Sequence, residues 1–190
     1  MLGARRPYGY INQEPLLAMC EVIDAANINL KSFDDEIYRK LNGGTLEPVL
    51  QTLKTLAEQN VHLEITTLIV PDYVDDPEMI RSMCKWITEN LGVDPPLHFL
   101  RFFPQYKLDR LPPTPVPILE KMHDIAMEEG IRYVYIGNVP DHEANHTWCH
   151  DCGELLIKRR GYDISTPGLS EGACRYCGAE IPGMWSRKGA

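Results

Sequence analysis

The sequence predicts an α/β chain, with a parallel sheet and its helices over residues 12–140, a small metal-held module over 141–190, and an irregular start over 1–11. Three observations predict it. Val61 to Ile69 alternates, putting Val61, Leu63, Ile65, Thr67 and Ile69 on one side and His62, Glu64, Thr66 and Leu68 on the other. Similar short runs at Ala25–Leu30, Leu97–Phe102 and Ile131–Ile136 alternate with helix-length apolar periodicities, the pattern of right-handed crossovers joining parallel strands. Finally, Cys149-His-Asp-Cys152-Gly and Cys174-Arg-Tyr-Cys177-Gly form two nearly identical hooks beyond the last strand.

In chain order, Met1 to Tyr10 shows no periodicity. Asn12 is placed to cap a helix carrying Leu16, Leu17, Cys20 and Val22, and Ala25–Leu30 follows as a short strand. Ser32 and Asp35 have the spacing of a capping box for a brief helix to about Leu41, stopped by Asn42-Gly43-Gly44. Thr45 is the expected cap of the next helix, whose Leu46, Val49, Leu50, Leu53 and Ala57 share one face. After the alternating strand, Pro71–Asp76 is a loop. Asp76-Pro77 opens a helix with proline in its first turn, and Gly92 ends it. Leu97–Phe102 is the third strand. A proline- and aromatic-rich connection over Phe103–Pro113 leads to a helix beginning at Thr114-Pro115, bearing Ile118, Leu119, Met122, Ile125 and Ala126, and ending at Gly130. Ile131–Ile136 is the fourth strand.

The two hooks carry the most specific chemistry. Two residues between paired cysteines let one tight turn aim both sulfurs at a single ion, and Gly153 and Gly178 permit the left-handed backbone that turn requires. The hooks stand about twenty residues apart, close to the interval of a four-cysteine zinc site. Cys149, Cys152, Cys174 and Cys177 would close a tetrahedron with no open position, so the zinc would be structural. Disulfides are the alternative use of these cysteines, and His142, His146 or His150 could replace a thiolate. Cys20 and Cys84 sit singly in helical segments and read as reduced core residues.

A net charge of −8 argues against a general nucleic-acid binder, because phosphate neutralisation needs clustered Lys and Arg. Lys158-Arg159-Arg160 is a basic run between the hooks and reads as a solvated turn. No apolar run reaches the length of a membrane span, and Met1–Pro7 lacks the apolar core of a signal peptide, so a cytoplasmic protein is expected.

In parallel α/β folds the chemistry collects at the carboxyl ends of the strands. The polar groups there are Asn29 and Lys31 on the first strand, Glu64 and Thr66 on the second, His98 and Arg101 on the third, and Gly137-Asn138 after the fourth. Each alone has a bland reading, as a solvated strand end or a hydrogen-bonded core histidine; as a group they point to a polar cavity. No serine-nucleophile, Walker or GxGxxG pattern accompanies them.

Four blocks in order extend this reading: Ile23-Asp-Ala-Ala-Asn-Ile-Asn-Leu-Lys31, Leu63-Glu-Ile-Thr-Thr-Leu-Ile69, His98-Phe-Leu-Arg-Phe-Phe-Pro104 and Tyr133-Val-Tyr-Ile-Gly-Asn-Val-Pro140, followed by His142-Glu143 and the hooks. From about Tyr8 to Trp185 the chain resembles the radical SAM enzymes of the AmmeMemoRadiSam system, which are themselves similar to the activating enzymes of pyruvate formate-lyase. The resemblance implies the later strands of a partial (β/α) barrel with a zinc-ribbon-like module. It also implies S-adenosylmethionine and a 4Fe-4S cluster as cofactors, and formation of a 5′-deoxyadenosyl radical. In that family a CxxxCxxC motif holds the cluster, and this chain has none.

The expectation is therefore a C-terminal portion, inactive alone, whose partner is the missing N-terminal half of the barrel or another protein, and whose Ala25–Leu30 strand is an exposed apolar edge. Asn29, Lys31 and Thr66 are the implied cofactor contacts, and Glu64, His98 and Arg101 the implied catalytic groups. Lys31 is the candidate for the methionine carboxylate. The chain departs from the family pattern at Asn29, where Asp is usual, and at Pro71-Asp72, where Pro-Gly is usual, so a differently shaped loop is expected there. A second functional class remains open: an inactive α/β remnant whose zinc ribbon docks a partner protein.

Overall fold

The structure is a computed structural model that describes residues 4–5 and 9–185. Five parallel strands, β1 (Ala4–Arg5), β2 (Ala25–Asn29), β3 (His62–Ile69), β4 (Leu97–Arg101) and β5 (Val134–Gly137), form one sheet in the order β1-β2-β3-β4-β5. Spatial order equals chain order. Each right-handed crossover then lays its helix on the same side of the sheet, the arrangement of a barrel wall rather than of a doubly wound sheet.

The helices are α1 (Gln13–Cys20), α2 (Asp35–Asn42), α3 (Glu47–Glu58), α4 (Pro77–Leu91) and α5 (Val116–Glu128). Neighbours α1 and α3, α3 and α4, and α4 and α5 touch side by side. Their apolar stripes, with Leu53, Leu56, Ile80, Met83, Leu119 and Met122 fully buried, meet Ile28, Ile65, Leu97 and Phe99 of the sheet. That burial is the main favourable term holding the layers together. The other face of the sheet is left to polar groups.

Several local expectations need correction. The cap of α2 is Asp34, whose Oδ1 accepts from Ile37 N at 2.9 Å; Ser32 Oγ instead accepts from Asp34 N and donates to Met79 Sδ. Thr45 does not cap α3. Leu46 precedes that helix with no side-chain cap, and Asp35 Oδ1 accepts the Leu46 N–H across the loop at 2.8 Å. Thr114 lies before α5 and joins strands instead: its hydroxyl accepts from Phe102 N and donates to Ile69 O. Asp72 has φ 65°, so the turn after β3 takes the left-handed conformation that glycine would supply, held by Tyr73 and Val74 N–H groups on Val70 O.

The N-terminal stretch expected to be irregular contributes β1, which pairs with Ala25 and Ala26. Gly9 continues this cover: a Cβ there would lie 2.9 Å from Ile28 and φ is 77°. Ala26, Ile28 and Leu30 are buried, so the apolar edge predicted at Ala25–Leu30 is not exposed.

Beyond β5, residues 147–181 make a second small core around Leu156, Ile157, Leu169 and Ile181, with Tyr133 of the sheet packed into it. The module is built from β6 (Thr147–Trp148), β7 (Leu155–Arg160) and β8 (Asp163–Ser165), an antiparallel three-stranded sheet, and from the pair β9 (Leu169–Ser170) and β10 (Ala173–Cys174).

Candidate metal centre and polar face of the sheet

The two cysteine hooks are copies in space as well as in sequence. Gly153 N donates to Cys149 O at 3.0 Å and Gly178 N to Cys174 O at 2.9 Å, while the N–H groups of Cys149 and Cys174 donate to Glu154 O and Ala179 O. Gly153 and Gly178 have φ 74° and 81°, the left-handed conformation the hooks predicted.

The four sulfurs lie within 4.8 Å of one another, with Cys149 to Cys177 at 3.6 Å and Cys152 to Cys174 at 3.7 Å. A tetrahedral zinc with bonds of about 2.3 Å separates its sulfurs by roughly 3.8 Å, so the set has the size that ion requires. It is far from the roughly 2.05 Å of a disulfide bond. Burial opposes the thiolate at Cys174, yet the backbone N–H groups of Cys177 and Tyr176 and the neighbouring thiols bring it down to about 7. The histidines are occupied elsewhere: His150 Nδ1 with Tyr133 hydroxyl at 2.8 Å, His146 Nδ1 with Arg159 N, and His142 with Glu120 and Ala144 N.

On the sheet, register decides which polar groups meet. Asn29 is level with Thr66, Thr66 with His98, and His98 with Tyr135, so one row crosses four strands on the face away from the helices. Asn27 and Glu64 form the next row toward the strand starts. Thr66 Oγ1 donates to Asn27 Oδ1 at 2.8 Å, and Asn27 Nδ2 donates to Glu64 Oε2 at 3.2 Å. His98 Nε2 stands 3.1 Å from the same Oε2. That hydrogen bond, against the opposing effect of burial, holds the Glu64 carboxyl well below the usual range, at about 2. An ionised carboxylate only accepts, so the proton of the pair sits on His98 Nε2. Glu64 Oε1 has His62 Nε2 at 3.9 Å.

Lys31 Nζ donates to Asn29 Oδ1 at 2.9 Å. Burial lowers the Lys31 ammonium from its ordinary value, and no carboxylate lies within ion-pair distance of it among the described residues. Glu64, Thr66 and His98 are thus joined in one network, with Asn29 and Lys31 as a second pair nearer the strand ends. Arg101 is not brought to either. It lies three residues after His98, and odd spacing in a strand changes the face. Its Nε donates to Thr114 O, its guanidinium lies 5.0 Å from the Phe103 ring, and Asn138 Nδ2 donates to its carbonyl.

Four residues of this face escaped the sequence reading. Asn27 and Tyr135 lie two positions from Asn29 and from Tyr133, a period-two signal that was legible. Thr147 and Arg159 come from the module and carried no such signal. Tyr135 hydroxyl meets Thr147 Oγ1 at 2.8 Å, Arg159 Nη1 donates to Thr147 Oγ1 at 2.8 Å and to Asn145 O, and the Arg159 guanidinium lies 5.4 Å from the Tyr135 ring centre. The module therefore stands over the polar face. Between them is a cleft of about 1450 Å³ whose walls include His62, Glu64, His98, Tyr135, Arg159 and Arg160.

No family model matches the chain. An uncharacterised protein of Methanocaldococcus jannaschii is 43% identical over 175 residues, covering 91% of this chain and 52% of that protein. The pyruvate formate-lyase 1-activating enzyme of Escherichia coli K12 is 25% identical over 127 residues, covering 62% of this chain and 52% of the enzyme. The chain spans about half the length of the curated relatives it matches. Among solved structures, a domain of a pyruvate-formate lyase-activating enzyme from Bacteroides vulgatus superposes with TM-score 0.64 at 16% identity, covering 73% of this chain and 82% of that one. A radical SAM methyltransferase from Sphaerobacter thermophilus gives 0.56 at 10% identity, covering 80% and 43%. In sequence the chain is distantly similar to pyruvate formate-lyase activating enzyme, in fold it is similar to a domain of such an enzyme and to a radical SAM methyltransferase, and it carries a four-cysteine group able to hold a metal.

Proposed function

We propose that this chain is the C-terminal wall of a radical SAM enzyme of the AmmeMemoRadiSam type, binding S-adenosylmethionine at the carboxyl ends of its strands, with zinc in the four-cysteine site. The observation that carries the reading is the polar row Asn29, Thr66, His98 and Tyr135, with Glu64 ionised beside it, on the face turned away from the helices. Partly buried polar groups gathered on one face, with a carboxyl pKa strongly lowered among them, are the arrangement expected of a ligand site.

Lys31 is the group for an anionic end of the cofactor: a half-buried ammonium, aimed by Asn29, that lacks a carboxylate partner among the described residues. Asn29 offers neutral hydrogen bonding where a carboxylate would add charge. Thr66 and Asn27 hold Glu64 in place, and His98 keeps a proton on Nε2 against it. When bound, the cofactor and a 4Fe-4S cluster would supply the radical. The cysteines here do not fit that cluster. Four close on one tetrahedral centre, Cys84 is fully buried with its thiol pushed up to about 12 by desolvation, and no other group of metal-ligand side chains converges among the described residues. Cluster ligands would come from residues outside this chain.

The test is anaerobic reconstitution with iron and sulfide followed by a 5′-deoxyadenosine assay under strong reductant. The 190-residue chain should neither assemble the cluster nor release 5′-deoxyadenosine. The same chain joined to a preceding CxxxCxxC-bearing segment should do both. Activity of the 190-residue chain would overturn the scheme.

A second reading, the module as a protein-docking element without catalysis, is favoured by one feature: β8 is an exposed edge strand, with Ile164 65% exposed and Tyr162 at the hairpin tip fully so. An inactive joined protein would favour it.

A further inference from the structure

Arg159 is a guanidinium placed with unusual care for a residue with no anion to meet. Its Nη1 is spent on Asn145 O and Thr147 Oγ1, and its guanidinium lies over the Tyr135 ring, so its position is set by contacts from β5, from β6 and from the segment between them. Among the described residues no carboxylate comes within ion-pair distance of it. Its guanidinium also hydrogen-bonds the Tyr135 hydroxyl, and Arg159 lines the cleft with exposed Arg160 beside it on the same wall. A half-buried arginine fixed in this way is suited to a carboxylate or phosphate, which its planar fork can meet in bidentate fashion.

The opposite wall supplies a second constraint. Glu64 is ionised and lines the cleft; two of its hydrogen bonds are taken on Oε2, and Oε1 has only His62 Nε2, at 3.9 Å, within ion-pair distance among the described residues. A dianionic group would be repelled there, whereas an ammonium would be attracted. Arg159 lies over Tyr135 of β5, while Glu64 is on β3, two strands or about 10 Å away across the sheet and one row nearer the strand starts. The two charges therefore suit the ends of one extended ligand better than groups on a single carbon.

We infer that the cleft between the sheet and the metal module is a binding site for a small organic amino-carboxylate with its ends held apart, the carboxylate on Arg159 and the amine on Glu64. The site is separate from Asn29 and Lys31, which do not line the cleft. One wall belongs to the module: Thr147 and Arg159 are on β6 and β7, and β6 runs into the hook that begins at Cys149. The cleft shares Glu64, His98 and Tyr135 with the polar face proposed above for S-adenosylmethionine, but binding of this ligand needs neither cluster nor cofactor, so its test in the chain alone can fail without the 5′-deoxyadenosine assay failing, and the reverse.

The probe is para-(aminomethyl)benzoate, titrated by NMR and calorimetry into the zinc-loaded 190-residue chain, against benzoate, benzylamine and phenyl phosphate. The bifunctional probe should bind at least tenfold more tightly than either single-function analogue, with shifts at His98, Tyr135 and Thr147. Phenyl phosphate should gain nothing over benzoate. Glu64→Gln should erase the advantage of the amine and Arg159→Gln that of the carboxylate, with zinc content unchanged. Arg159→Lys, which keeps the charge, should retain part of the affinity and guards against a merely loosened module. Equal binding of para-(aminomethyl)benzoate, benzoate and benzylamine, shifts outside the cleft, or affinity indifferent to both substitutions would overturn the assignment. Tighter binding of phenyl phosphate would overturn the choice of carboxylate.

Discussion

The imidazole of His98 lies stacked on the phenol ring of Tyr135, centroids 5.1 Å apart and planes 23° from parallel. Tyr135 is in turn tied to Thr147 and covered by Arg159, so the orientation of a sheet histidine is set partly by the module. Tyr135→Phe should keep the stack and lose one hydrogen bond, costing about 1 kcal/mol. Tyr135→Leu should cost about 1–3 kcal/mol and move the ring-proton resonances of His98, because the aromatic partner itself is gone. Urea unfolding and His98 chemical shifts read the two effects separately; unchanged His98 resonances in the leucine variant would show that the stack does not set its orientation.

One tightly bound zinc per chain is expected. Cys174→Ser should bring the metal content well below one per chain, measured by elemental analysis. Chelation should unfold residues 147–181 before the sheet, since a core this small has little stability without its metal. Hydrogen exchange should rise first in β6 and β7, and His98 resonances should shift while amides of Ile65 and Phe99 stay protected. Simultaneous loss of protection in both layers would contradict this order.

Acid should destabilise the fold through Glu64. Its folded pKa of about 2 is below the ordinary value of 4.5, so its contribution is present above the ordinary value and is lost as pH falls toward 2. Glu64→Gln should flatten the stability profile across that window. The comparison must be between variants at each pH, because acid also releases zinc from thiolates. Parallel wild-type and variant profiles would count against the Glu64–His98 interaction.

Lys31 gives the same sign of pH dependence for the opposite reason, its charged form being the disfavoured one. Its ammonium is lowered by burial, so the charged form opposes folding, and raising pH through its folded pKa should add stability until its ordinary value is reached. Lys31→Met should be neutral or stabilising in the isolated chain. In a protein that binds S-adenosylmethionine, Lys31→Ala should weaken binding by about 1.5–3 kcal/mol, the range for a hydrogen bond to a charged group. Isothermal titration of the cofactor measures it, and an unchanged affinity would remove Lys31 from the site.

The four-cysteine cluster, the four later strands and the helices between them were legible in the sequence because their causes are local. A CxxCG hook builds itself from a turn and a left-handed glycine, and the alternation of β3 separates its apolar face from its polar one whatever lies across the sheet. The same alternation, followed from His98 to Arg101, would have put Arg101 on the other face. Caps were less legible, since Ser32, Asp34 and Asp35 all present oxygens within one turn and only the folded loop assigns Asp35 to the Leu46 N–H.

What tertiary structure alone decided was register and docking. Asn29, Thr66, His98 and Tyr135 become a row because parallel strands are paired in one particular alignment, and no residue in any one strand specifies that alignment. Arg159 reads along the chain as part of a solvated basic turn. It becomes the wall of a cleft because the cysteine-held module lies across the polar face, where Tyr135 and Thr147 can hold its guanidinium in place.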